Sequence, residues 1–116
     1  MEPKKNIIVD KTFDFAVKIT VLYDKLRKEH EYNLSSQLFN SATSIGANVE
    51  EAQAAQSKRD FISKMSIASK EARETRYWLR VLDATKFLKI DLKPYLKEIE
   101  DIVNIITKIV KTSSGK

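Results

Sequence analysis

Nine lysines and arginines stand against four acids between residues 57 and 90, whereas the rest of the chain carries twelve of each. The formal net charge of +5 therefore resides in this one segment. On a helical wheel with Phe61 at the origin, Arg59, Lys70, Arg73, Tyr77 and Arg80 fall between roughly 100° and 180°. Ser66 and Ser69 lie on or near the same face. Cations and hydroxyls around one aromatic ring can neutralise phosphates and stack a base. Binding of that kind runs through phosphate and shape, with little direct base reading. The same strip also reads as a solvated or ion-paired outer face. Glu71 and Glu74 adjoin Lys70 and Arg73, and Lys70–Glu74 has the i,i+4 spacing of a helical ion pair.

A second face of the same helix carries Ile67, Glu74, Trp78 and Val81, between roughly 200° and 260° on that wheel. Apolar residues outside the core seam suit a subunit interface, and Trp78 is the only tryptophan. The alternative is a bundle core wide enough to wrap around them. Asn48, Glu51, Glu71 and Arg76 form a further polar set. Carboxylates at Glu50–Glu51 and Glu71/Glu74 raise general acid–base work or a di-metal site. A di-iron bundle needs Glu-x-x-His on two helices, and that motif is missing here. Links that fix helix register or subunit contacts are the better reading of this set.

Other chemistry is closed off by composition. With no cysteine there is no disulfide scaffold, thiolate zinc site, iron–sulfur cluster or thiol nucleophile. The single histidine, His30, stands in a charged run and is expected to face solvent. Ser41, Thr43 and Ser44 have no histidine near them in sequence and read as small residues on a tightly packed helix. No glycine-rich phosphate loop is present. These features predict a protein that is not an enzyme and holds no metal or cofactor.

Four amphipathic segments must position these residues. The first runs from about 11 to 29, with Asp10 as the expected N-cap and Phe15, Ile19, Leu22 and Leu26 on one face. Phe13, Ala16, Val17 and Tyr23 are expected to widen that stripe. The second spans about 34 to 55, capped by Asn33 or Ser35, with Leu38, Ala42, Ile45, Val49 and Ala52 as its seam. Gly46 interrupts it at a cost of roughly 1 kcal/mol, and with Ala42 makes a small strip that another helix can approach. The third, about 58 to 88, opens on a capping box at Ser57 and Asp60. Its seam is Phe61, Met65, Ala68, Ala72, Thr75, Leu79 and Leu82. The fourth, about 93 to 112, follows Asp91 and Pro94, a standard helix start. Leu96, Ile99, Val103, Ile106 and Val110 form its seam, and Ile102, Ile105 and Ile109 predict a second partner for it. Residues 112–116 read as a frayed tail.

These segments predict one all-α domain, an antiparallel up-down four-helix bundle over residues 1–116. The chain has 116 residues, two glycines and two prolines, too few turn formers for a β-sandwich or barrel. The pI of about 9.4 suits an acidic partner or simple solubility. No run approaches the length of a membrane span, and the start lacks a signal-peptide hydrophobic region, so a cytoplasmic protein without membrane contact is expected.

Residues 34–82 carry a more specific pattern. Gln37-Leu38, Ser44-Ile45-Gly46-Ala47-Asn48-Val49-Glu50-Glu51-Ala52, Ser57-Lys58-Arg59-Asp60-Phe61 and Glu71-Ala72-Arg73-Glu74-Thr75-Arg76-Tyr77-Trp78-Leu79 resemble the 23S rRNA intervening-sequence proteins of bacteria. Phe13, Phe15, Ala16, Ile19, Leu22 and Tyr23 fit as well. The resemblance implies a four-helix bundle that forms a closed homopentamer. Some family genes lie inside insertions in 23S rRNA genes, and others stand alone. A related branch resembles the accessory variability protein of diversity-generating retroelements, a basic pentameric barrel that works with a reverse transcriptase and its template RNA. The implied partners are thus a second copy of the chain, structured RNA or DNA, and a reverse transcriptase. Many members carry glycine between helices 2 and 3. Here Ala54 and Ala55 stand there instead, which predicts a longer helix 2 and a tighter turn at Gln56–Ser57.

Overall fold

Four helices form in chain order: α1 (Ile7–Lys28), α2 (Asn33–Gln53), α3 (Lys58–Thr85) and α4 (Lys93–Ser113). The computed structural model describes residues 6–86 and 89–115. Neighbouring helices run in opposite directions. Thr12 lies against Gly46, and Asn6 near the start of α1 bonds Gln53 at the end of α2. Thr75 meets Ser41 while Lys64, earlier in α3, meets Glu51, later in α2. Arg76 reaches Glu100 and Arg73 reaches Thr107, so α3 and α4 are antiparallel too.

The expected seams are where the core sits. Phe15, Ile19, Leu22 and Leu26 of α1 are fully buried, as are Ala42, Ile45 and Val49 of α2 and Met65, Ala68, Ala72 and Leu79 of α3. From α4 come Ile99, Ile102 and Ile106. Phe61, Leu96 and Val110 end their seams half-buried. The one interhelical polar link inside this core, among the described residues, joins the Thr75 and Ser41 hydroxyls at 2.9 Å. The expected widening of the α1 stripe fails at two positions. Phe13 is 61% and Val17 50% exposed, on the side of α1 turned away from the core. A helix at the edge of a bundle buries only the arc that its neighbours cover, and α1 leans mainly on α2.

Gly46 of α2 faces the Thr12 backbone of α1. A Cβ there would stand 3.4 Å from the Thr12 carbonyl oxygen, which is contact without overlap. Gly46→Ala is therefore expected to be neutral or to stabilise by up to about 1 kcal/mol, through helix propensity. Gly46→Leu is expected to push α1 off α2 and cost about 2 kcal/mol or more. Urea denaturation of both variants checks this, and a leucine variant as stable as the parent would contradict the close approach.

Helix ends depart from expectation in ways that local chemistry explains. Asn6, not Asp10, caps α1, its side-chain oxygen accepting from the Val9 N–H. Starting there brings Ile8 into the core, and Asp10 falls in the first turn, where the helix dipole favours it. His30 takes the left-handed conformation at φ 64°, and the Glu31 N–H returns to the Leu26 carbonyl at 3.0 Å. This Schellman closure ends α1 and aims the Glu31 carboxylate at the Leu34 and Ser35 N–H groups, at 2.8 and 2.7 Å. Glu31 thus caps α2 in place of Asn33 or Ser35. The Ser57 cap forms as expected, with the Asp60 N–H at 3.0 Å from its hydroxyl. Helix α2 stops at Gln53 rather than 55, so the alanines belong to the turn and do not extend the helix. Helix α3 ends at Thr85 with Lys86 left-handed at φ 56°, and the expected end at 88 lies outside the described residues. Leu92, not Asp91, is the N-cap residue of α4 and makes no side-chain cap; Asp91, one position earlier, accepts from the Lys93 N–H at 3.1 Å. Helix α4 continues through Ser113, into the expected tail.

Candidate nucleic-acid interface

Helix α3 is 28 residues long, about 42 Å, and one side of it is committed to the core. The opposite side is left to solvent. Arg59, Lys70, Arg73, Tyr77 and Arg80 are all exposed there. From Arg59 to Arg80 the row extends about 30 Å along the axis.

Among the described residues the ion pairs are Lys18–Glu98, Lys28–Asp24, Lys64–Glu51 and Arg76–Glu100. None of them engages Arg59, Lys70, Arg73 or Arg80. The Lys70–Glu74 pair that the spacing allows is not made. Arg73 instead donates from Nη2 to the Thr107 hydroxyl of α4 at 3.2 Å. That bond steadies the guanidinium without neutralising it, and its remaining N–H groups stay available. Asn104 and Lys111 are exposed and share the Thr107 edge of α4 by helical spacing. The row on α3 thus continues onto a second helix, an extension that reading α3 alone misses. The α4 seam contains the signal, since Asn104, Thr107 and Lys111 flank it together, but only the packing tells which flank meets α3.

Tyr77 is 54% exposed, and its ring stands edge-on to Trp78, with centroids 5.1 Å apart and planes at 70°. The Trp78 indole packs half-buried against the core, with its Nε1 buried and without a hydrogen-bond partner among the described residues. Ile67 is exposed, while Glu74, Trp78 and Val81 are half-buried along the α2 side of α3. The apolar flank expected there exists, though its larger members are partly covered.

Asn48, Glu51, Glu71 and Arg76 are not gathered into one network. Asn48 bonds the Ser44 carbonyl of its own helix at 2.9 Å. Glu51 pairs with Lys64 across α2 and α3 at 3.3 Å, and Arg76 with Glu100 across α3 and α4 at 3.1 Å. Two of the four therefore tie helices together, each on a different edge of α3. Among the described residues no cluster of three acidic or histidine side chains could hold a metal ion. His30 is exposed between α1 and α2, its Nδ1 3.0 Å from the Tyr32 hydroxyl. No described helix is long and apolar enough to cross a membrane.

Burial raises the Glu71 carboxyl above its ordinary range, the Glu74 charge adds to the rise, and Lys70 opposes it. The folded state therefore holds this proton more tightly than the unfolded one. Stability falls as pH rises through the folded-state value, and the penalty vanishes below the ordinary carboxylate value. Glu71→Gln is expected to raise Tm at neutral pH and leave it unchanged below about pH 4. An equal shift at both pH values would show that the charge is irrelevant.

An all-α four-helix bundle whose longest helix presents a row of exposed cations defines the class of protein. The chain belongs to the 23S rRNA-intervening sequence protein family, whose model matches residues 4–108. Among solved structures, it is similar to a protein of unknown function from the S23 ribosomal protein family of Bacteroides thetaiotaomicron VPI-5482. Identity is 41% and the TM-score 0.86, covering 91% of this chain and 96% of that one. No curated protein matches.

Proposed function

We propose that this chain is a non-catalytic helical bundle that binds structured RNA, or another nucleic acid, through the exposed basic face of α3. The observation that carries this reading is the row Arg59, Lys70, Arg73 and Arg80, exposed and without carboxylate partners among the described residues. Unpaired cations concentrated on one face create a local positive potential, which attracts phosphate and releases counterions on contact. The absence of cysteine and the presence of a single histidine support a binding role over catalysis. The cytoplasm is the proposed setting.

The proposed working form is a homo-oligomer, a pentamer by the family resemblance, with Ile67, Glu74, Trp78 and Val81 at the subunit contact. Repetition around an axis would multiply the positive face. Light scattering is expected to give a mass of about five times 13.3 kDa, and a 13.3 kDa species would overturn the oligomer. A second reading, an accessory subunit docking on another protein such as a reverse transcriptase, is favoured by the outward apolar residues Phe13, Val17 and Val21 of α1. Titration of the protein into labelled structured RNA at low salt separates the two. Binding supports the first, and none moves the function to the second.

A further inference from the structure

We propose that the basic face takes an unpaired stretch of nucleic acid, with Tyr77 stacking on one base while Arg73 and Arg80 hold the phosphates on either side of it. This rests on the nucleic-acid reading above and names the form of ligand it accepts. Tyr77 is more than half exposed, toward the C-terminal end of the row and between Arg73 and Arg80. Arg73 precedes it by four residues and Arg80 follows it by three, so both are its neighbours on the helix surface. Along the axis the two arginines are about 10 Å apart, with the ring between them.

The setting of the ring favours stacking. Trp78, anchored in the core, meets the ring at 5.1 Å and 70° and limits its motion, so less freedom is lost when a base arrives. No hydrogen bond within the described chain occupies the Tyr77 hydroxyl, and the bond to Thr107 holds Arg73 in place. Glu74 lies on the α2 side of the row, and its charge repels a backbone there. Thr107, Asn104 and Lys111 lie on the α4 side and offer donors and a cation. A strand is thereby guided along the seam between α3 and α4.

A duplex does not use these features. Its base faces are hidden in the stack, and the major groove of A-form RNA is too deep and narrow for side chains to read. The aromatic ring would contribute little to a contact made through phosphates alone. Loops and bulges of a structured RNA, in contrast, present unstacked bases with their phosphates.

The test compares a labelled, unstructured RNA of about a dozen nucleotides with a blunt duplex of the same length, by anisotropy at one ionic strength. Quenching of Trp78, the only tryptophan, gives an independent signal beside the ring. The single strand is expected to bind at least tenfold tighter. Tyr77→Ala should weaken it by about five- to a hundredfold, as removal of one stacked base does, and leave duplex binding unchanged. Tyr77→Phe should retain the affinity. Because Tyr77 is exposed, the alanine variant should fold, and an unchanged circular dichroism spectrum confirms it. Equal binding of duplex and single strand, with no effect of Tyr77→Ala, would overturn the stacking proposal and leave the basic face standing. Failure to bind either RNA at low salt would overturn both.

Discussion

Changing Arg73 and Arg80 together to glutamate is expected to lower affinity for structured RNA by about two to three orders of magnitude at low salt. Each substitution removes a cation from the row and places an anion beside the remaining phosphates. Both residues are exposed, so neither change leaves a buried charge. Within the described fold the double change breaks one hydrogen bond, from Arg73 to Thr107, and that bond is exposed. The thermal midpoint should accordingly move little, because surface substitutions of this kind usually stay within about 0.5 kcal/mol. A binding assay beside a melting curve separates the two effects. Full retention of RNA binding in a folded double variant would remove α3 from consideration as the site.

The largest effect on the fold is expected at Phe15. Its side chain is fully buried at the centre of the α1 seam. Truncation to alanine should cost about 3–5 kcal/mol, from forfeited transfer energy and the cavity left behind. For a domain whose total stability is of order 5–15 kcal/mol, that is a large fraction. Beyond this buried seam, helix α1 has little else to hold it. Its outer face is exposed, and its described ion pair to the rest of the bundle, Lys18–Glu98, involves a lysine side chain 57% exposed. Urea titration should move the midpoint down by about 2–3 M for an m-value of about 1.5 kcal/mol/M. A drop below about 1 kcal/mol would mean that α1 is not an integral wall of the core.

The positions that sequence spacing resolves are those set by helical geometry alone. Ile19, Ile45, Leu79 and Ile106 are buried because a seam of apolar residues at three- and four-residue steps has one face to offer the core. The row Arg59, Lys70, Arg73, Tyr77 and Arg80 shares a face for the same reason. What spacing leaves open is set by neighbours. Phe13 and Val17 sit beside a true seam, and only the arrangement of α2 and α4 leaves them outside it. Thr107 becomes a partner of Arg73 because α4 packs on that flank of α3, which no periodicity in α4 specifies. The Glu31 cap on α2 depends on the left-handed turn at His30, a conformation that histidine seldom announces. Asn6 and Asp10 are both good N-cap types, and burial of Ile8 decides between them.

The most direct measurement of the phosphate-binding face is the dependence of RNA affinity on salt. With three to four cations of α3 engaged, a plot of log K against log salt should be linear, with a slope of about −2 to −3 for a single strand. The double charge reversal should flatten that slope by about 1.4, two phosphates' worth. Affinity indifferent to salt, or no binding even at low salt, would contradict a phosphate-binding role for this helix.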